Sequence, residues 1–277
     1  MNSVEAVQNA LDKISSIDQS GYTLNSVLAV SDSAISLAKA FDQQKLELPL
    51  GGLPILIKDN IEAAGLPATA GSLALSDTPV IADSTVAKRL RDAGAIIIGS
   101  TNLSEWANIR STKSTSGWSA VGGLTANPWI HQRSAGGSSS GSGAAVAAGI
   151  TEWAIGSETD GSIICPSSLN GCVGIKPTVG SIPRDGMVPI SASQDSPGPM
   201  AQTVTQAALL LDVLTAKKEY VPAVNSDQKL KIGVVRQWLS SNSELNALFE
   251  ESISKLEKQG ISLVDVTLAP PEAQEHE

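Results

Sequence analysis

Three short, nearly unbroken apolar runs limit what this chain can fold into: residues 53–57, 95–98 and 152–156. None shows the polar alternation of a half-exposed strand, so each reads as a strand covered on both faces. Helical spacing separates them. Val4, Val7, Leu11 and Ile14 recur on one helical face, as do Ile35, Leu37, Ala38 and Phe41 after Asp32 and Ser33. Ser84 is placed to cap a helix that runs through Arg91 and closes at Gly94. Further helices are expected at 144–148, 203–214 and 243–259, and further strands at 172–175, 231–235 and 261–266. Strands alternating with helices predict an α/β fold with a mixed, largely parallel central sheet covered by helices. The expected organisation is one domain over 1–277, with N-terminal helices at 1–45, a core at 51–200 and a helix-strand-helix-strand extension at 201–277.

Composition removes several function classes. The 277 residues hold two histidines, His131 and His276, so a three-histidine zinc site is impossible. Cys165 and Cys172 are seven apart, which gives neither a CxxC ligand pair nor a disulfide framework. They read as buried, reduced thiols. A formal net charge of −9 argues against a nucleic-acid partner, because phosphate binding needs clustered Lys and Arg. No run of 18 apolar residues exists, and residues 1–5 lack the basic and apolar regions of a signal peptide. The expectation is a cytoplasmic protein with no membrane partner.

Serine is abundant, at 37 residues, and residues 134–143 alone carry five Ser and four Gly. Composition by itself reads that segment as a flexible linker. Its position argues otherwise: it lies between strand-like segments and runs into the small-residue helix, where free N–H groups can cradle an anion. A phosphate loop does not fit, since no Gly-Lys-Ser/Thr follows. The GxSxG match at 137–141 needs a downstream histidine, and the one available is His276 near the end of the sequence. The SxxK matches at Ser36–Lys39 and Ser252–Lys255 fall on ordinary amphipathic helices.

A second cluster, 158–163, follows a predicted strand. Gly161 permits a sharp turn beside Ser162, and consecutive N–H groups in such a turn can converge on one point. That is the geometry of a serine attacking a carbonyl whose oxyanion is held by amides; an ordinary β-turn is the alternative. The base would be Lys58, which closes the first apolar run. A lysine at a strand end is either solvated or, if buried, shifted toward the neutral form that can accept a proton. Asp59 would oppose that shift if it approached the ammonium.

These segments together resemble the amidase signature family. The resemblance is carried by residues 51–60, 136–143 and 156–163, with further agreement at 102–108, 127–128, 170–178 and 193–200. It runs from about residue 20 to the end, and the Glu-Thr-Asp-Gly-Ser variant at 158–162 looks most like the peptide-amidase-like branch. It implies the amidase signature fold and a Ser-cis-Ser-Lys triad that cleaves carboxamide C–N bonds through an acyl-enzyme. Lys58 matches the base, Ser138 the middle serine with its cis peptide bond, and Ser162 the nucleophile. The N–H groups of Thr159, Asp160, Gly161 and Ser162 match the oxyanion hole, with Gly137 and Ser139 in support. No cofactor and no metal is implied, and the partner is a small-molecule or peptide amide. Residues 111–119 are expected to line part of the pocket.

The sequence departs from the family in three respects. Ile164 stands where many relatives carry arginine, and Asp160 replaces a glycine, which lowers the reading as an amidotransferase component. Family members are also usually longer. The expectation is a sheet left incomplete at its C-terminal side, with an apolar edge open to self-association or to a missing C-terminal segment. The alternative function is then a truncated or inactive amidase-fold subunit that works by association.

Overall fold

A computed structural model describes residues 1–77, 80–226 and 230–268. In chain order the elements are α1 (Ser3–Lys13), β1 (Val27–Val30), α2 (Ala34–Gln44), β2 (Pro54–Lys58), α3 (Thr85–Asp92), β3 (Ile96–Thr101), β4 (Trp118–Ser119), β5 (Gly123–Leu124), α4 (Ser140–Ala147), β6 (Trp153–Glu158), α5 (Ile164–Asn170), β7 (Val173–Gly174), β8 (Ser196–Ala201), α6 (Val204–Thr215), α7 (Tyr220–Val224), β9 (Lys231–Val234), α8 (Ser243–Lys258) and β10 (Ser262–Asp265). The contacts divide the chain into two compact units, Met1–Val224 and Asn225–Glu277. His276 and the rest of residues 269–277 lie outside the described residues. No described helix is long and apolar enough to cross a membrane.

The first unit is built on a six-stranded mixed sheet in the order β1-β3-β2-β6-β8-β7. The three apolar runs form its centre: β3, β2 and β6 are parallel neighbours, and β1, β8 and β7 join antiparallel at the flanks. Their lack of alternation now has a cause. Ile55, Ile57, Ile97 and Ile155 pack on one face with Leu90 of α3 and Leu210 and Leu214 of α6. Leu56, Ile96, Ile98 and Ala154 pack on the other with α1 and the small residues Ala144, Ala145 and Val146 of α4. Each fully buried isoleucine contributes roughly 1.5–3 kcal/mol.

Three elements differ from expectation. α4 begins at Ser140, four residues earlier than the apolar pattern indicates, so half of the Ser/Gly segment is helix or helix cap. It is no linker: Ser138 to Val146 are all buried. At Gly141 a Cβ would collide with the backbone of Ser26 and Asn102, so glycine is what lets α4 press against the sheet's end. β8, where no strand is expected from the sequence, carries Pro197 and Pro199, residues that cannot donate to a ladder. Ile175 N–H donates to Pro199 O at 3.1 Å, so the edge of Pro199 that lacks an N–H faces away from its long partner β6. Cys165, expected buried, is exposed on α5.

The second unit holds a parallel β9–α8–β10 arrangement. Asn242 caps α8 by accepting from the N–H groups of Glu244 and Leu245, and Arg236 grips Glu250 at 2.9 and 3.1 Å.

Candidate active site

Lys58 ends β2, whose five residues are all buried between β3 and β6. It is 0% exposed. Its Nζ lies 2.7 Å from Ser138 Oγ, 3.0 Å from Ser157 O and 3.0 Å from Ser157 Oγ. Every one of these partners is uncharged. Burial therefore pushes Lys58 down to about 7, against the opposing pull of the Glu158 and Asp195 carboxylates. Asp59 does not interfere. It lies in the turn after β2, where its carboxylate accepts from both the N–H and the hydroxyl of Thr69. Burial raises Asp59 to about 6.

The Ser/Gly segment supplies the next layer. The Gly137–Ser138 peptide is cis. Ser138 O accepts from Ser104 N–H at 3.1 Å, and a Cβ at Gly137 would strike the hydroxyls of Ser104 and Ser116. Ser139 is a crossbrace: its hydroxyl donates to Ser157 O at 3.1 Å and accepts from Ser157 N–H at 3.2 Å, while its N–H donates to Ser162 O at 3.0 Å.

Ser162 sits in the turn between β6 and α5 and is 8% exposed. Gly161 takes φ +75°, the left-handed conformation that closes the turn. Both ends of the turn are tied. Glu158 Oε2 accepts from the N–H groups of Ile163 and Ile164 at 2.6 and 2.9 Å. On the other side Lys176 Nζ donates to Thr159 O at 2.5 Å, and the Thr159 hydroxyl donates to Asp195 at 2.6 Å. Asp195 in turn accepts from the N–H groups of Ile190 and Ser191. Among the described residues, no hydrogen bond uses the N–H of Thr159, Asp160, Gly161 or Ser162 as its donor. Nor does one join the hydroxyls of Ser138 and Ser162; Ser139 is the link between the two segments.

A small cavity of about 10 Å³, room for about one water, lies here, bordered by Asn60, Ser138, Thr159, Met187, Ile190 and Asp195. Residues 111–119 do not border it; Ser116 and Gly117 stand behind Gly137 instead. The structure thus brings Lys58, Ser138 and Ser139 into one hydrogen-bonded group, with Ser162 and its turn beside them. Sequence reasoning assigned nothing to Ser157 or Asn60. The available signal was a polar residue, Ser157, placed directly after an apolar strand run.

The family profile described as Amidase matches residues 5–276. Mandelamide hydrolase from Pseudomonas putida is 40% identical over 89% of this chain and 49% of its own length. A glutamyl-tRNA(Gln) amidotransferase component from Methanosarcina mazei is 39% identical over 88% of this chain and 53% of its own. The crystal structure of the native peptide amidase from Stenotrophomonas maltophilia superposes with a TM-score of 0.89 at 41% identity, covering 97% of this chain and 59% of that one. The chain spans about half the length of the curated relatives it matches. With that match across nearly all its residues, and with the fold shared, the chain belongs to the Amidase family.

Proposed function

We propose that this chain carries the catalytic residues of a serine hydrolase that cleaves carboxamide C–N bonds through an acyl-enzyme. The observation that carries the reading is Lys58, fully buried, free of any carboxylate hydrogen bond and 2.7 Å from the Ser138 hydroxyl. Near pH 7 a lysine shifted to about 7 is neutral in a large fraction of molecules. Neutral Lys58 takes the Ser138 proton as Ser138 takes that of Ser162, a transfer that requires the Ser162 side chain to rotate into hydrogen-bond reach of Ser138. The Ser162 oxygen adds to the amide carbonyl, and the charge that develops falls to the N–H groups of Thr159, Asp160, Gly161 and Ser162. Such a donor is worth roughly 3 kcal/mol where one has been removed from a protease. The C–N bond then breaks, the proton held on Lys58 returns through Ser138 to the leaving amine, and water releases the acid from Ser162. Gly137 and Ser139 hold the segment that carries Ser138.

The relatives named mandelamide hydrolase and peptide amidase support a small-molecule or peptide amide as substrate. Replacing Ser162 or Lys58 by alanine is expected to abolish hydrolysis of a panel of simple amides; undiminished turnover sinks the mechanism. A second reading, a component of an amidotransferase, draws on the relative of that name. Covalent labelling separates the readings. A stoichiometric fluorophosphonate adduct on Ser162, with hydrolysis of plain amides by the isolated chain, favours the hydrolase.

A further inference from the structure

We propose that Ser157 and Asn60 are positioning residues for Lys58: Ser157 accepts both hydrogens of its neutral amine and Asn60 orients the Ser157 hydroxyl, so that the lone pair is left facing Ser138. The inference rests on the reading of Lys58 as the base and adds what aims it.

The count of donors carries the argument. A neutral amine has two N–H groups and one lone pair. Lys58 Nζ meets three oxygens, at 2.7, 3.0 and 3.0 Å. Ser157 O is a carbonyl and can only accept, so it takes one N–H. Ser157 Oγ could accept or donate, and this choice decides the outcome. If it donated to Lys58 it would occupy the lone pair and compete with Ser138.

Asn60 offers the alternative: an acceptor for the Ser157 proton. Its side-chain amide lies against the same hydroxyl, with Nδ2 at 3.0 Å and Oδ1 at 3.3 Å from Ser157 Oγ. With the Ser157 proton directed to Asn60 Oδ1, the oxygen's lone pairs face Lys58 and take its second N–H. The one valence left on Nζ is the lone pair, and the one partner left is the Ser138 hydroxyl. A proton leaving Ser138 then arrives on an amine already oriented for it, and the resulting ammonium finds three acceptors in place. Ser139 steadies the arrangement by holding Ser157 at both its N–H and its carbonyl. Asn60 is fixed from behind, since its carbonyl accepts from Val188 N–H at 2.9 Å.

The charged groups acting on Lys58 are the carboxylates of Glu158 and Asp195, and the test variants leave both in place. The test is the pH dependence of kcat/KM for Ser157→Ala, Ser157→Thr and Asn60→Ala on one simple amide. Beside it, the Lys58 Cε resonance is titrated by NMR, which needs no turnover and reports folding at the same time. Ser157→Ala is expected to lower the plateau at least about tenfold and to move the lysine titration to lower pH, because the ammonium loses an acceptor. Ser157→Thr, which keeps the hydroxyl, restores both. Asn60→Ala lowers the plateau while leaving the Lys58–Ser157 contact available. A folded Ser157→Ala with an unchanged profile and titration overturns the proposal, as does an unchanged Asn60→Ala. Lys58→Ala separates this from the underlying reading: full activity there defeats the base assignment itself, whereas an inactive Lys58→Ala beside an unchanged Ser157→Ala defeats the positioning role alone.

Discussion

Glu158 reaches from the end of β6 to the start of α5, with its carboxylate 2.6 Å from the N–H of Ile163, the residue after Ser162. One side chain therefore does two things. It ties the far end of the serine turn, and it contributes negative potential at Lys58, raising the pKa that burial lowers. Glu158→Gln separates the two. The glutamine oxygen can still accept from Ile163 and Ile164, but the charge is gone, so Lys58 loses a proton more easily. The acidic limb of kcat/KM is expected to shift to lower pH, with the fold intact by circular dichroism. Glu158→Ala removes both roles and is expected to cost roughly 3 kcal/mol of stability. A limb that stays in place in the glutamine variant would show that Glu158 acts on the turn only.

Lys58 also makes stability depend on pH. Its folded pKa of about 7 lies below the ordinary 10.5. Between those values the unfolded chain binds more protons than the folded one, so stability rises with pH across that window. Below pH 7 both states carry the ammonium, and the full cost of burying it, a few kcal/mol, is present. Lys58→Met has no such proton to lose. Urea melts from pH 7 to 10 are expected to show wild type gaining stability relative to Lys58→Met. Parallel curves for the two proteins contradict the shift.

Asp59 works in the opposite sense. Its Oδ1 is buried without a partner, and burial raises its pKa from 3.8 to about 6. Between those values the folded state binds more protons, so stability falls as pH rises. Asp59→Asn keeps an oxygen that can accept from Thr69 N–H and carries no charge. The variant is expected to lose this decline, gaining about 3 kcal/mol on wild type between pH 3.8 and 6. Thermal melts at the two ends of that range measure it.

The central sheet was legible because β2, β3 and β6 are covered on both faces, which writes itself as unbroken apolar sequence. β8 was not, because Pro197 and Pro199 are tolerated only where their missing N–H groups face away from β6, a fact of pairing rather than of local pattern. Lys58, Ser138 and Ser162 stood out through the motifs around them, and an isolated Lys or Ser among 37 serines would not have. Ser157 and Asn60 carry no such mark. Their meaning lies in two distances to groups about a hundred residues apart in the chain, which only the fold brings together. The start of α4 was misplaced for a related reason. Helix propensity disfavours Ser and Gly, and close packing against Ser26 and Asn102 overrides it.

That packing yields a test of why particular glycines are present. Gly141 and Gly161 flank the same site but for different reasons. At Gly141 φ is ordinary for a helix, and a Cβ would strike backbone atoms of Ser26 and Asn102 that cannot move aside. At Gly161 no atom lies within 4 Å of the Cβ position, yet φ is +75°. Gly141→Ala is thus an overpacking change, expected to cost at least about 3 kcal/mol and to displace the Ser138 segment, so activity falls with stability. Gly161→Ala meets only the left-handed penalty, about 1–2 kcal/mol, with the fold retained. If the proposed oxyanion site at residues 159–162 holds, the effect of this change is expected to concentrate on kcat, because relaxing that φ reorients those N–H groups. Denaturation midpoints and kcat for the two variants check this, and equal losses of stability at both positions would contradict it.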